Sequence, residues 1–212
     1  MTGLSLPRIL LHSSIALVSA LLLNSCGSGS LGYGKDTRNK IIVSVSDQRM
    51  VLVRDGTPIK TYKVSTSKFG VGDRPNSNRT PLGHLQVAKK IGDRAPAGAV
   101  FKSRRLTGEV LAPNSPGRDP IVTRILWLTG SEDRNQNTFR RTIYIHGTPE
   151  ENRLGTPASY GCIRMGSRDV VDLYNRIGTG ADVFVIRGSI QSRRTTSGGT
   201  TAGKNRGFSG NS

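Results

Sequence analysis

Two side chains in the stretch Ile143 to Met165, IYIHGTPEENRLGTPASYGCIRM, are of types that do chemistry together: His146 and Cys162. A free thiol has a pKa of about 8.5 and is only a few per cent thiolate at neutral pH. A neighbouring imidazole removes that obstacle. It holds the proton as imidazolium, stabilises the thiolate by charge, and returns the proton to a leaving amine. Acyl transfer is the reaction class this pair serves. Gly161 has no side chain, so its N–H can turn toward an attacked carbonyl beside the N–H of Cys162, as an oxyanion hole requires. The competing reading makes Cys162 a buried small hydrophobe and His146 a satisfied strand-end histidine. Against it, Cys162 stands in a Ser-x-Gly-Cys turn and not in an apolar run.

Ile143-Tyr144-Ile145 is β-branched and aromatic, and predicts a strand that delivers His146 to its end with Gly147 as punctuation. Sixteen positions separate His146 from Cys162, too many for a helical pair, and Gly155 and Pro157 between them suit a chain that folds back. After the cysteine, Val170, Leu173, Tyr174 and Ile177 follow helical spacing, with Ser167 as cap, Asp169 in the first turn and Gly178 past the end. Earlier, 41–45, 50–54, 58–64, 84–88 and 121–128 read as strands, with Asp55-Gly56 as a hairpin turn, and 182–186 reads as the last strand. Gly92 to Pro120 reads as a long loop, a candidate substrate lid. His84 reads as a strand residue and Trp127 as core.

His146-Gly147-Thr148 followed by Ser159-x-Gly161-Cys162-Ile163-Arg164-Met165 resembles the active-site signature of the L,D-transpeptidases (YkuD-like domain), which cross-link or edit bacterial peptidoglycan. Thr80-Pro81-Leu82-Gly83 resembles the Thr-Pro-x-Gly turn of the same family. Tyr160 is a departure, standing where many members carry His or Ser. The resemblance implies a mostly β fold, a twisted sheet or small barrel-like sandwich with one helix after the catalytic turn. It also implies a Cys162 nucleophile and a His146 base, with an oxyanion site formed by the N–H groups of Tyr160, Gly161 and Cys162. Gly147 and Ser159 would orient the site. Arg164 would bind a substrate carboxylate, the alternative being a structural salt bridge. The substrate would be a peptidoglycan stem tetrapeptide that loses D-alanine and passes its acyl group to an amine. Trimming by water, as an L,D-carboxypeptidase, and an inactive peptidoglycan-binding module are the alternatives.

The chain has 212 residues and a formal charge of +17. Lys35 to Ile186 alone carries 25 Lys and Arg against all 14 acids, so the domain itself is basic and suited to an anionic partner. No nucleic-acid motif or aromatic-interleaved basic stripe accompanies that charge, and nucleic acid is not the expected partner. With three His and no paired ligands at metal spacing, no metal or other cofactor is expected.

Arg8 and the apolar run Ile9 to Leu23 have the form of a secretory signal peptide, and Leu23-Asn24-Ser25-Cys26 resembles a lipoprotein processing site. The expected organisation is a signal peptide over 1–25, a flexible linker over 26–39, a catalytic domain over 40–187 and a disordered basic tail over 188–212. Lipidation of Cys26 would anchor an exported, periplasmic protein to the membrane and leave Cys162 a lone thiol. Ordinary signal cleavage nearby, or a Cys26–Cys162 disulfide, would be the alternatives.

Overall fold

β-Branched and aromatic residues at alternating positions build ten strands around one main apolar core. The computed structural model describes residues 34–190. In chain order the strands are β1 (Asn39–Ser44), β2 (Arg49–Arg54), β3 (Thr57–Ser65), β4 (Gly83–Ile91), β5 (Ala99–Lys102), β6 (Arg105–Val110), β7 (Ile121–Gly130), β8 (Tyr144–Gly147), β9 (Ile163–Met165) and β10 (Asp182–Ile186). One α-helix, α1 (Ser167–Arg176), lies between β9 and β10.

The sheet runs β4-β10-β1-β2-β3-β9-β8-β7, and β7 pairs with β4 again, so eight strands close on themselves. The expected mostly β, barrel-like architecture with one helix after the cysteine is therefore what the chain adopts. Closure leaves these strands no free edge along most of their length. The core is filled by side chains including Ile41, Leu52, Leu85, Leu128, Ile145 and Ile163. Val170, Leu173, Tyr174 and Ile177 of the helix and its end join the same cluster, so the helical apolar face has its partner. Each large side chain so buried is worth about 1.5–3 kcal/mol.

The expected loop at Gly92 to Pro120 contains the hairpin β5–β6. It was hidden because its turn, Ser103-Arg104, takes positive φ at both residues (50° and 66°) without the Asn-Gly or Asp-Gly that usually signals it. The hairpin joins the barrel on β7, with Val100 opposite Val122 and Phe101 opposite Ile121, just beyond the stretch of β7 that pairs with β4.

Three further expectations are corrected. Ser167 does not cap α1; the N-cap is Gly166, and the Ser167 N–H donates to the Glu151 carboxylate (2.8 Å), a cap supplied from a separate 3-10 turn. The end of the expected linker is packed: the Asp36 N–H donates to the Thr179 carbonyl (2.8 Å), and Asn39 already belongs to β1. The start of the expected tail is held too, because the Ile190 N–H donates to Asp47 (2.9 Å) and the Ser44 hydroxyl donates to the Gly188 carbonyl (2.8 Å). The signal peptide, Cys26 with most of its linker, and the rest of the tail lie outside the described residues.

Candidate active site

β8 and β9 are parallel neighbours, with Ile145 opposite Ile163 and His146 opposite Arg164. Alternation settles the faces: Ile145, Ile163 and Met165 enter the main core, so His146, Arg164 and Cys162 point to the opposite side. Cys162 lies beside Tyr144, whose N–H donates to its sulfur (3.4 Å), while the thiol donates toward the Thr142 carbonyl (3.6 Å). His146 is two residues farther along the adjacent strand. Strand geometry places the two Cα atoms about 8 Å apart on one face, within reach of a thiol and an imidazole that lean toward each other.

His146 is buried, and its Nδ1 lies 2.8 Å from the Gly147 carbonyl oxygen. Because a carbonyl only accepts, Nδ1 carries the proton and Nε2 presents a lone pair. Gly147 has to be glycine here: a Cβ on it would stand 2.7 Å from the Val122 carbonyl oxygen. Desolvation pushes the imidazole down to about 4, opposed by the Gly147 bond and the Asp119 charge. Desolvation pushes the Cys162 thiol up to about 11, although the residue keeps partial contact with solvent, and the Tyr144 N–H opposes that rise. Both shifts favour a neutral thiol beside a neutral imidazole, not the ion pair that the sequence alone suggested.

The cysteine turn is braced from several sides. The Ser159 hydroxyl donates to the Cys162 carbonyl (2.6 Å) and accepts from the Gly161 N–H (3.2 Å). The Gly161 amide, expected in the oxyanion site, is thus engaged within the turn. Gly161 adopts φ of 120°, and its carbonyl accepts from Thr80 (3.0 Å), so the Thr-Pro-Leu-Gly motif supports the loop that carries Cys162. The Tyr160 side chain is exposed and turned outward, where its hydroxyl accepts from Lys68 (2.9 Å) and its ring tilts against Phe69 (5.4 Å).

Arg164 is also corrected. Its buried guanidinium bonds Asp119 (2.5 Å) and Glu150 (3.1 Å), the salt-bridge alternative, and is not open to a substrate carboxylate. Asp119 and Glu150 were missed as site residues, since nothing local in the sequence marks either. Thr123 was missed as well: it is β-branched yet sits at φ 71°, beside a bulge in β7, where its hydroxyl accepts from the Gly98 N–H (2.8 Å).

The outer face carrying Cys162 is walled by the β5–β6 hairpin. Phe101, Tyr144, Ile125 and Ala99 form a second apolar cluster against which Cys162 packs. Arg104 at the hairpin tip bonds the Tyr144 hydroxyl (3.3 Å) and lies 4.8 Å from the Trp127 ring. Trp127 itself stacks on Phe139 (4.1 Å) in this outer layer. A cavity of about 510 Å³ is lined by Asn76, Asn78, Arg140, Thr142 and, from the cysteine turn, Tyr160, among others. Among the described residues, no three His, Cys, Asp or Glu side chains cluster as metal ligands would.

The model of the L,D-transpeptidase catalytic domain (YkuD) matches residues 38–186. A curated relative, the putative L,D-transpeptidase YqjB of Bacillus subtilis, is 27% identical over 145 residues, 68% of this chain and 69% of that protein. Among solved structures, an L,D-transpeptidase from Mycobacterium tuberculosis is 20% identical with a TM-score of 0.46, covering 71% of this chain and 58% of that one. One from Mycobacterium smegmatis is 17% identical with a TM-score of 0.45, covering 70% and 58%. The chain thus spans less than two thirds of the length of these solved proteins. Since the family model covers most of the chain and includes both His146 and Cys162, the chain belongs to the family of L,D-transpeptidase catalytic domains.

Proposed function

We propose that this protein is a peptidoglycan L,D-transpeptidase, a cysteine acyltransferase that works through a thioester on Cys162. The observation that carries this reading is the placement of Cys162 and His146 on one face of adjacent parallel strands, with His146 fixed as the Nδ1–H tautomer. The donor is a stem tetrapeptide, cut after its third, diamino residue.

Because both groups rest neutral, proton transfer accompanies attack. The thiol proton passes to Nε2 as the sulfur–carbon bond forms at the donor carbonyl. With the Gly161 amide engaged, the N–H groups of Tyr160 and Cys162 are left for the oxyanion. The tetrahedral intermediate collapses by breaking the carbon–nitrogen bond, and the imidazolium gives its proton to the departing D-alanine amine. An acceptor amine on a second stem then attacks the thioester, the sulfur leaves, and the thiol is restored. The outward position of the Tyr160 side chain supports a backbone role there, for which tyrosine serves as well as the histidine or serine of other members.

We place the protein outside the cytoplasm, anchored through a lipid on Cys26. Cys26→Ala should then move it from the membrane to the soluble periplasmic fraction, and unchanged membrane association would overturn the anchor.

The test of the reaction is intact-mass analysis with purified muropeptides. A tetrapeptide donor should add an acyl mass at Cys162 and release D-alanine, and added acceptor amine should shorten the adduct's life and yield a dimer. Tripeptide formation indifferent to amine would make the enzyme an L,D-carboxypeptidase. No adduct at all would make it a binding module.

A further inference from the structure

We infer that Asp119 is a positioning residue for His146, locking together the two strands that carry base and nucleophile and directing negative charge toward the imidazolium formed when the thiol proton moves. The inference rests on the reading of Cys162 and His146 proposed above. Its basis is a buried cluster. Arg164, the ladder partner of His146, bonds Asp119 (2.5 Å) and Glu150 (3.1 Å), with side-chain exposures of 8%, 13% and 24% respectively. Asp119 also accepts from the hydroxyl of Thr148, two residues beyond His146, and the Thr148 N–H donates to the Met165 carbonyl of β9 (3.0 Å). One carboxylate thereby grips the end of β8 and the middle of β9, from a segment that belongs to neither.

Glu150 also bonds Arg153 (3.0 Å), so the cluster holds two carboxylates and two guanidiniums. The Arg153 side chain is 52% exposed and screened by water, whereas Asp119 is 13% exposed, so the Asp119 charge acts the more strongly inside the protein. The groups facing His146 show what that charge can act on. Asp119 and Arg164 are the charged ones, and Cys162 and Tyr144, whose hydroxyl is bonded by Arg104, are the other titratable groups on this face. On β7, Ile125 stands opposite His146, and the Arg124 guanidinium is turned away to the Ala95 and Thr123 carbonyls. An imidazolium is the cation that the Asp119 charge would favour, and it exists only while the reaction proceeds. The effect is transmitted through Arg164 and Thr148, so it should be far smaller than the roughly 10⁴-fold loss seen when a carboxylate bonded directly to a catalytic histidine is replaced.

The experiment measures the alkylation rate of Cys162 by iodoacetamide against pH, together with thioester formation from the tetrapeptide donor, in the full chain. Asp119→Asn should slow both about tenfold at neutral pH and shift the acid limb of the alkylation profile to lower pH, because a less negative surround makes the imidazolium harder to form. Asp119→Glu should recover most of the rate. A merely structural salt bridge would lower the unfolding midpoint and leave the limb where it is. Asp119→Asn with the wild-type rate and limb, or Glu no better than Asn, would overturn the inference. If Asp119→Asn does not fold, Thr148→Val decides, since it removes one contact without stranding a charge; it should slow alkylation about threefold, and an unchanged rate counts against the inference. Alkylation needs no peptidoglycan, so a wild type that forms no thioester overturns the proposed reaction while the Asp119 result still stands or falls on alkylation.

Discussion

His146 Nδ1 and the carbonyl oxygen of the next residue, Gly147, lie 2.8 Å apart. The orienting partner of the proposed base is therefore a main-chain atom, which no side-chain substitution deletes. Replacing His146 by Gln should slow acylation of Cys162 by about 10²–10⁴ through loss of proton transfer. Cys162→Ala should abolish the adduct. Single-turnover mass measurements with the tetrapeptide donor check both, and an adduct surviving in Cys162→Ala would place the nucleophile elsewhere.

The neutral resting pair predicts an unusual pH profile. With the imidazole near 4 and the thiol near 11, the base is free and the thiol still protonated throughout the range between. Acylation should stay flat from about pH 5 to 9, without the rise near 8.5 of an ordinary cysteine. A rate that climbs through pH 8 to 9 would show an unperturbed thiol.

The same shifts act on stability, and their signs follow from proton binding. The folded His146 pKa lies below its unfolded value of 6.5, so its contribution is complete above 6.5 and is lost as pH falls toward 4, by at most about 3 kcal/mol. The folded Cys162 pKa lies above its unfolded 9.0, so that contribution is lost as pH rises from 9 toward 11. Urea titrations of the wild type and of His146→Gln should diverge below pH 6.5 in acid sensitivity, with the variant the flatter of the two.

Gly147→Ala should destabilise the protein by about 1–3 kcal/mol, because the new methyl meets the Val122 main chain and one strand must move. The shift displaces the carbonyl that orients His146, so acylation should fall further than the unfolding midpoint alone would explain.

Ser159→Ala removes both bonds that close the cysteine turn, at an expected cost of about 1–3 kcal/mol. It also releases the Gly161 amide. If Ser159 is only a brace, Ser159→Thr, which keeps the hydroxyl, should restore the denaturation midpoint.

Much of this fold could be read from local pattern. The hairpin at Asp55-Gly56 was legible because both turn residues take positive φ, at 49° and 82°, and carry the residue types that tolerate it. Helix α1 was legible from its apolar stripe. β9 was not, since three residues are too few to show alternation and its pairing partner is distant in sequence. The chemistry-bearing pair was visible because it lies in one motif-bearing stretch. Asp119 was invisible for the opposite reason: its partners, Thr148 and Arg164, stand 29 and 45 positions away, and an isolated aspartate before a proline looks like any loop residue. The bond from the Gly161 amide to Ser159 was not legible, because a glycine's freedom says what its N–H is able to face and not which neighbour it meets.

The divided edge of β7 separates the closed barrel from the hairpin that walls the face carrying Cys162. β4 takes residues 125–130 and completes the ring, while β5 takes only Ile121 and Val122, so the wall over the thiol is an attachment to a barrel already closed. Insertions, deletions or exchanges between Gly92 and Pro120 can therefore alter the mouth of the site without reopening the scaffold, provided Asp119 and the short pairing to β7 survive. Selection can act on the wall beside Cys162 at little risk to folding, and a designer grafting a different hairpin onto these two anchors would have the same freedom.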